Sequence, residues 1–211
     1  GTVVPNWAPQ FLSRKMSSEL GYCSSAMTGH FCFRRLNMDI VLTPLQERDK
    51  EEFIKKIQIA FKKAVVEQFG DFDGQIIPRE HIIRSFKAEG AESYNIVLDG
   101  KVVGGAVIVI HPETNRNSLD LLFVDVNCHS KGVGYAAWQA IEALHPETEV
   151  WETHTPYFEQ RNIHFYVNKC GFHVVEFFCK YHPEPGEDYP EDVPGGDGFL
   201  RFEKQMGQRT S

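Results

Sequence analysis

LDLLFVDVNCHSKGVGYAA, residues Leu119–Ala137, starts as a strand, crosses a polar turn and ends inside a helix. Leu, Val and Phe dominate Leu119–Val126, the composition of a buried strand. NCHSKGVG supplies the turn, and Val133, Ala137, Ala140, Ile141 and Leu144 then share one face of a helix over about 133–144. Gly132 and Gly134 open that helix. The first N–H groups of a helix lack internal partners and sit at the positive end of its dipole, so they attract an anion. Glycines there leave no Cβ between the main chain and a phosphate, and Lys131 adds a positive charge. A phosphate-bearing ligand is expected at this turn.

On the N-terminal side, Ser93–Leu98 and Lys101–Ile110 are strand-like runs joined by Asp99-Gly100, a tight-hairpin signal. With Leu119–Val126 they read as an antiparallel meander. Earlier, Asp39–Thr43 alternates up to Pro44 as a first strand. Phe53, Ile57, Ala60, Phe61, Ala64 and Val65 recur at helical spacing toward Gly70, and a second helix is expected from near Pro78 to Gly90. Beyond the central helix come a strand at Glu149–Thr153, a helix near Tyr157–Cys170, and strands at His173–Cys179 and Gly198–Lys204. This order predicts an α/β domain with a mixed sheet.

Two ligand classes compete for the glycine turn. Gly132-Val133-Gly134-Tyr135-Ala136-Ala137 fits the dinucleotide pattern GxGxx(G/A), and Glu152 stands where a ribose-binding acid would fall. In a dinucleotide fold, however, the glycines follow the strand almost at once within parallel βαβ units. Here Asp125–Lys131 intervene, after a meander.

The spacing instead resembles motif A of the GNAT acetyltransferase superfamily, bacterial type, a strand ending in V-x-P-x-x-(Q/R)-x-x-G-x-(G/A). Val124 takes the strand valine, Val126 stands at the proline, His129 at the Gln/Arg, and Gly132 and Gly134 at the glycines. Downstream, TPYFEQRNIHFYVNKCGF is similar to motif B of the same superfamily, on Asn162, Tyr166, Gly171 and Phe172. The family's tyrosine commonly stands four residues before the glycine, a position held here by Val167. On a regular helix that slip turns the phenol of Tyr166 by about 100°, unless the helix is locally adjusted.

The resemblance spans residues 39–206 and implies the GNAT fold: a mixed, mostly antiparallel sheet of about seven strands with helices on both faces. It also implies acetyl-CoA as cofactor, held by Phe123, Val124 and Val126 on the strand, by His129, Ser130, Lys131, Gly132, Val133, Gly134 and Tyr135 in the loop and helix start, and by Asn162. The pantetheine arm is expected beside the strand, with the Val124 N–H near the thioester carbonyl. The implied reaction is direct attack of a primary amine on the thioester, with proximity a large part of the catalysis.

An alkyl amine with a pKa near ~10 is mostly protonated at neutral pH, so a proton acceptor is needed. Asp120 is the first choice, because it is the sole charged residue in LDLLFV and shares strand parity with Val124. Glu152 and His154 are the alternatives, and Tyr166 is the acid for the leaving thiolate. Plainer readings stand beside these: Asp120 capping a turn or pairing with Arg116, Tyr166 as an ordinary half-buried aromatic, Cys128 as an incidental thiol. A non-catalytic CoA-binding regulatory module is the alternative function that the displaced Tyr166 suggests, and a dinucleotide-binding enzyme is the other.

The 211 residues are 42% hydrophobic and 24% charged, values of a globular domain able to bury its own core. No apolar run is long enough to span a bilayer. The net charge of −7 disfavours generic nucleic-acid binding. Five scattered cysteines without a CxxC pair point to a reducing, cytoplasmic setting, and the nine histidines show no metal-ligand spacing. Residues 1–37 are basic, Ser-rich and aperiodic, a composition a transit peptide shares, and are expected to be an upstream extension or leftover expression leader of low structure in preference to a targeting signal, leaving residues 38–211 as the acetyltransferase domain. His182–Gly198 holds six acids and no Lys or Arg, so an acidic rim that attracts a cationic amine is weighed against a merely solvated loop. The acceptor is expected to be a small-molecule or protein amine, and the aromatic content is compatible with a homodimer.

Overall fold

A computed structural model describes residues 39–71, 77–128, 132–185 and 198–207. The expected extension over residues 1–37 lies outside them, as do His129, Ser130, Lys131 and, from the acidic segment, Glu187, Asp188, Glu191, Asp192 and Asp197.

The elements are β1 (Ile40–Pro44), α1 (Lys50–Phe69), α2 (Arg79–Lys87), β2 (Ala91–Leu98), β3 (Lys101–Val109), β4 (Arg116–Val124), α3 (Val133–Leu144), β5 (Val150–Pro156), α4 (Gln160–His164), β6 (His173–Cys179) and β7 (Gly198–Gln205). The seven strands form one sheet in the order β1-β2-β3-β4-β5-β7-β6. Every neighbouring pair is antiparallel except β4 and β5, which run parallel. That arrangement is mixed and mostly antiparallel, as the sequence implied, and it is not the parallel βαβ series of a dinucleotide fold.

The β2–β3 hairpin turns at Asp99 and Gly100, whose φ angles of 51° and 74° are both left-handed, as the tight turn requires. β3 runs through the sheet centre and is buried from Val103 to Val109. Its two glycines have a packing reason. A Cβ on Gly104 would lie 2.3 Å from the Phe123 carbonyl oxygen, and one on Gly105 would lie 2.2 Å from the Phe53 ring.

Helices cover both faces. On one, α1 and α2 bring Phe53, Ile54, Ile57 and Ile82 against Val107 and Phe123. On the other, Trp138 and Ile141 of α3 pack with Tyr166, Cys170 and Phe172 against Leu119, Trp151 and Phe202. Trp138 meets Trp151 edge-on at 5.3 Å.

Two irregularities position the site. First, Val107 pairs with Leu121 and Ile108 with Leu119, so Asp120 has no opposite number on β3 and forms a β-bulge. The bulge lets Leu119 face Trp138 and Trp151 while Leu121, two residues on, packs on the α1–α2 side. Second, β4 and β5 pair only from Arg116↔Val150 to Leu119↔Thr153 and then part. Thr153 Oγ1 donates to the Leu119 carbonyl at 2.9 Å, closing the ladder at the fork.

Candidate active site

A cavity of about 880 Å³ lies along the parted end of β4. Leu122, Phe123 and Val124 form one wall, the start of α3 and the α4 segment form the others, and Ala60, Phe61 and Ala64 of α1 reach its inner end.

At one end the chain enters α3 through Gly132, whose φ of 80° is left-handed and suits glycine. No side chain among the described residues caps this helix. Gly132, Val133, Gly134 and Tyr135 all line the cavity, so the helix start that the sequence assigned to a phosphate borders it. Lys63, Arg161 and Lys169 line it too. Lys63 and Arg161 each pair with Glu67, which also lines the cavity.

At the fork stands Tyr166, 7% exposed, with its ring against Phe172 and Phe202 at centroid distances of 5.6 and 5.7 Å. Burial pushes its phenol up to about 12, against a hydrogen bond with Thr153 that pulls the other way. The hydroxyl therefore keeps its proton at neutral pH. Tyr166 reaches this point because Phe165–Cys170 is π-helical, and the Gly171 N–H bonds back to the Tyr166 carbonyl. An i→i+5 bond encloses one more residue per turn than an i→i+4 bond, which absorbs the extra residue before Gly171. Gly171, left-handed at φ 80°, then ends the helix. The local adjustment that the displaced tyrosine required is present: Tyr166 is packed in the buried core cluster and also lines the cavity.

Asn162 lines the same cavity and donates from Nδ2 to Thr155 Oγ1 at 3.3 Å. Phe123 contributes to the wall, while its ring lies edge-on to Phe53 at 4.9 Å on the α1 face. Cys128 also lines it, at the end of a short 3-10 turn, Val126–Cys128. Val126 is not part of the cavity wall.

Asp120 is elsewhere. It faces a separate hollow of about 240 Å³ with His81, Arg84, Ser85 and Ala88, on the α2 side of the sheet. Ser118 Oγ donates to Asp120 Oδ1 at 2.6 Å. The apolar surroundings and the shared parity with Val124 that the sequence suggested are both corrected here, because the bulge turns Asp120 outward and its side chain is exposed. Arg116, offered as its plain ion-pair partner, instead bonds Glu203 at 2.7 Å.

The alternatives to Asp120 are already engaged. Glu152 accepts from Arg201 Nη1 at 2.9 Å, and Arg201 also reaches Glu176 at 3.0 Å and Glu203 at 3.2 Å. His154 lies 3.4 Å from Glu184 and stacks on Phe178. Among the described residues no three His, Cys, Asp or Glu side chains converge as a metal site, and no helix is long and apolar enough to cross a membrane.

Sequence reasoning missed Glu159, which lines the cavity at the start of α4. Burial raises the pKa of its carboxyl, Arg161 opposes that and Glu67 adds to it. It also missed the ion pair of Arg161 with Glu67 at 2.6 Å, which ties α4 to α1. The only available signal was a stripe of small and charged residues, Ala60, Lys63, Ala64 and Glu67, on one side of α1.

Comparison with known proteins agrees with this geometry. A family model described as the acetyltransferase (GNAT) family matches residues 58–172. A Bacillus subtilis (strain 168) protein described as uncharacterized protein YrkN is 49% identical over 176 residues, covering 81% of this chain and 95% of that protein. Among solved structures, a Bacillus subtilis acetyltransferase in complex with CoA superposes with a TM-score of 0.56 at 15% identity, over 81% of this chain and 99% of that one. Spermidine N-acetyltransferase from Vibrio cholerae, in complex with CoA and spermine, gives 0.55 at 9% identity over 79% and 95%. At such identities these structures speak for the fold.

Proposed function

The chain belongs to the acetyltransferase (GNAT) family, and from that premise we propose that it moves an acetyl group from acetyl-CoA to a primary amine by direct attack within a ternary complex. One observation carries the reading: a single cavity joins the start of α3 to a buried, protonated Tyr166 at the fork of β4 and β5. Its size suits an extended cofactor.

The residues present fit acetyl-CoA. The N–H groups of Val133, Gly134 and Tyr135, with Lys63, Arg161 and Lys169, match a diphosphate and a further phosphate. Asp120–Phe123 of β4 is not paired with β5 and offers main-chain groups to an amide-bearing arm, with Val124 next in line and Asn162 opposite. His129, Ser130 and Lys131 are assigned to the same phosphate loop. Bound there, acetyl-CoA supplies the activated thioester.

This chain's groups then handle protons. Asp120, just past the last β4–β5 pair, accepts the first proton of the acceptor's ammonium from the α2 side. Tyr166 gives its phenol proton to the departing sulfur as the C–S bond breaks and the N–C bond forms. The second nitrogen proton leaves through water and restores the phenol. Preorganised donors at the fork and restricted approach supply the rest of the rate.

The reading is tested by calorimetry with acetyl-CoA against NAD, followed by thiol release with a panel of amines. Heat with acetyl-CoA alone, turnover with an amine, and slower turnover in Asp120→Asn are the expected results. Cofactor binding with no transfer to any amine would favour the regulatory-module reading that the displaced Tyr166 suggested. Residues 38–211 are assigned as the catalytic domain, acting in the cytoplasm with its cysteines reduced.

A further inference from the structure

The cavity has walls on both faces of the sheet, and the wall on the α1 face bears on the donor. Resting on the transferase reading above, we propose that the α1 end of the cavity is an acyl pocket, and that the preferred donor carries a neutral aliphatic acyl group longer than acetyl, of propionyl or butyryl size.

Topology comes first. α1 and α2 cover one face of the sheet, and α3 with the Tyr166 segment covers the other. Ala60 and Phe61 pack with the first group and Phe165 and Tyr166 with the second, yet all four line one cavity. A cavity with walls on both faces has to cross the sheet. β4 and β5 leave the opening, since their pairing stops at Leu119↔Thr153. With the cofactor's phosphates at the start of α3 and its sulfur at Tyr166, the group that the sulfur carries is the part that meets α1.

Composition comes second. α1 presents Ala60, Phe61 and Ala64 to the cavity, with Phe123 of β4 beside them, and none of these side chains has a polar atom. Ala60 and Ala64 stand one helical turn apart, and both are only partly buried, so no neighbouring side chain fills the space in front of them. An acetyl group ends in a single methyl and leaves that wall to water. Each further methylene covers apolar surface, worth about fourfold in affinity. The charged residues of α1 in the cavity, Lys63 and Glu67, pair with each other, and Glu67 also pairs with Arg161. Their charges are matched within the protein, which favours a neutral chain over one ending in a carboxylate, such as succinyl. The transfer itself keeps its balance: the amine nitrogen bonds to the acyl carbon, the C–S bond breaks and the sulfur takes the Tyr166 proton.

The experiment measures Kd by calorimetry for free CoA and for acetyl-, propionyl-, butyryl-, hexanoyl- and succinyl-CoA, which needs no acceptor. It then measures kcat/KM for the same donors with an amine that the wild type accepts, using the wild type, Ala64→Leu and Phe61→Ala. Wild-type affinity should rise about fourfold for each methylene from acetyl to butyryl, with succinyl-CoA bound no better than acetyl-CoA. Ala64→Leu fills the pocket and should lower the butyryl-to-acetyl ratio by roughly 10-fold or more, whereas Phe61→Ala enlarges it and should move the preference toward hexanoyl-CoA. Shifts of opposite sign separate pocket size from general damage. Wild-type binding of acetyl-CoA as tight as that of butyryl-CoA, a donor ranking indifferent to both substitutions, or a change confined to the KM of the amine would each overturn the proposal while leaving the transferase reading standing. Failure of the wild type to bind CoA or any acyl-CoA would overturn both.

Discussion

Replacing Tyr166 by Phe removes one oxygen from the fork and leaves the ring, so it separates the phenol's chemistry from its packing. The ring contacts with Phe165, Phe172 and Phe202 survive. The hydroxyl beside Thr153 is lost. The pH dependence is the sharper readout. The phenol titrates near about 12 in the folded protein against 10.0 in an ordinary setting. Its folded pKa is raised, so the stability it contributes is complete below pH 10 and is lost as pH climbs through the folded value. Two units correspond to roughly 2 to 3 kcal/mol. Urea melts of both proteins at pH 9 and again near pH 11.5 should therefore show the variant gaining about 2 kcal/mol on the wild type. Cys170, also pushed up to about 12 by burial, is a neighbouring charge that adds to the rise of the phenol. In the acetyl-transfer assay at neutral pH the variant should lose roughly 100-fold or more in kcat, as for a general acid. A stability difference that stays flat with pH would refute the burial at the fork. An unchanged kcat would refute the acid role.

Glu159→Gln removes a desolvated carboxylate from the cavity proposed to hold the cofactor, so acetyl-CoA should bind roughly two- to fivefold more tightly at neutral pH. Because its pKa is raised, the wild type should close that gap as pH falls and the carboxyl takes up its proton; calorimetry at several pH values decides, and an advantage constant with pH counts against it. Gly104→Ala pushes a Cβ against the Phe123 carbonyl oxygen in a central strand, where backbone must move, and should cost about 3 kcal/mol in denaturant unfolding. A loss under about 1 kcal/mol would mean that β3 and β4 are less tightly joined than described.

The architecture was legible wherever its cause was local. Asp99-Gly100 announces a hairpin because few residues adopt two successive left-handed conformations. The glycine turn before α3 announces a helix start, because a left-handed glycine there follows from local geometry alone. The surroundings of Asp120 were less legible, because its placement depends on pairing between strands. Strict alternation put Asp120 beside Val124 among apolar side chains, but one extra residue opposite β3 reversed its face. The π-helical turn at Phe165–Cys170 was visible only as a spacing that did not fit, and nothing within those residues specifies a widened turn. Glu67, Glu159 and Arg161 meet at the cavity through the packing of α1 on α4, a long-range consequence that no short window contains.

The closed vertex at Leu119, Thr153 and Tyr166 has a kinetic corollary. With the Thr153 hydroxyl spent on the Leu119 carbonyl and an aromatic ring wedged behind it, β4 and β5 cannot zip together when the cleft is empty. Prising the strands apart is work completed during folding, so a visiting nucleotide needs only to dock. Thr153→Val, which unpins that vertex, should slow capture more than it hastens release, a reversal of the usual pattern in which affinity is set by escape.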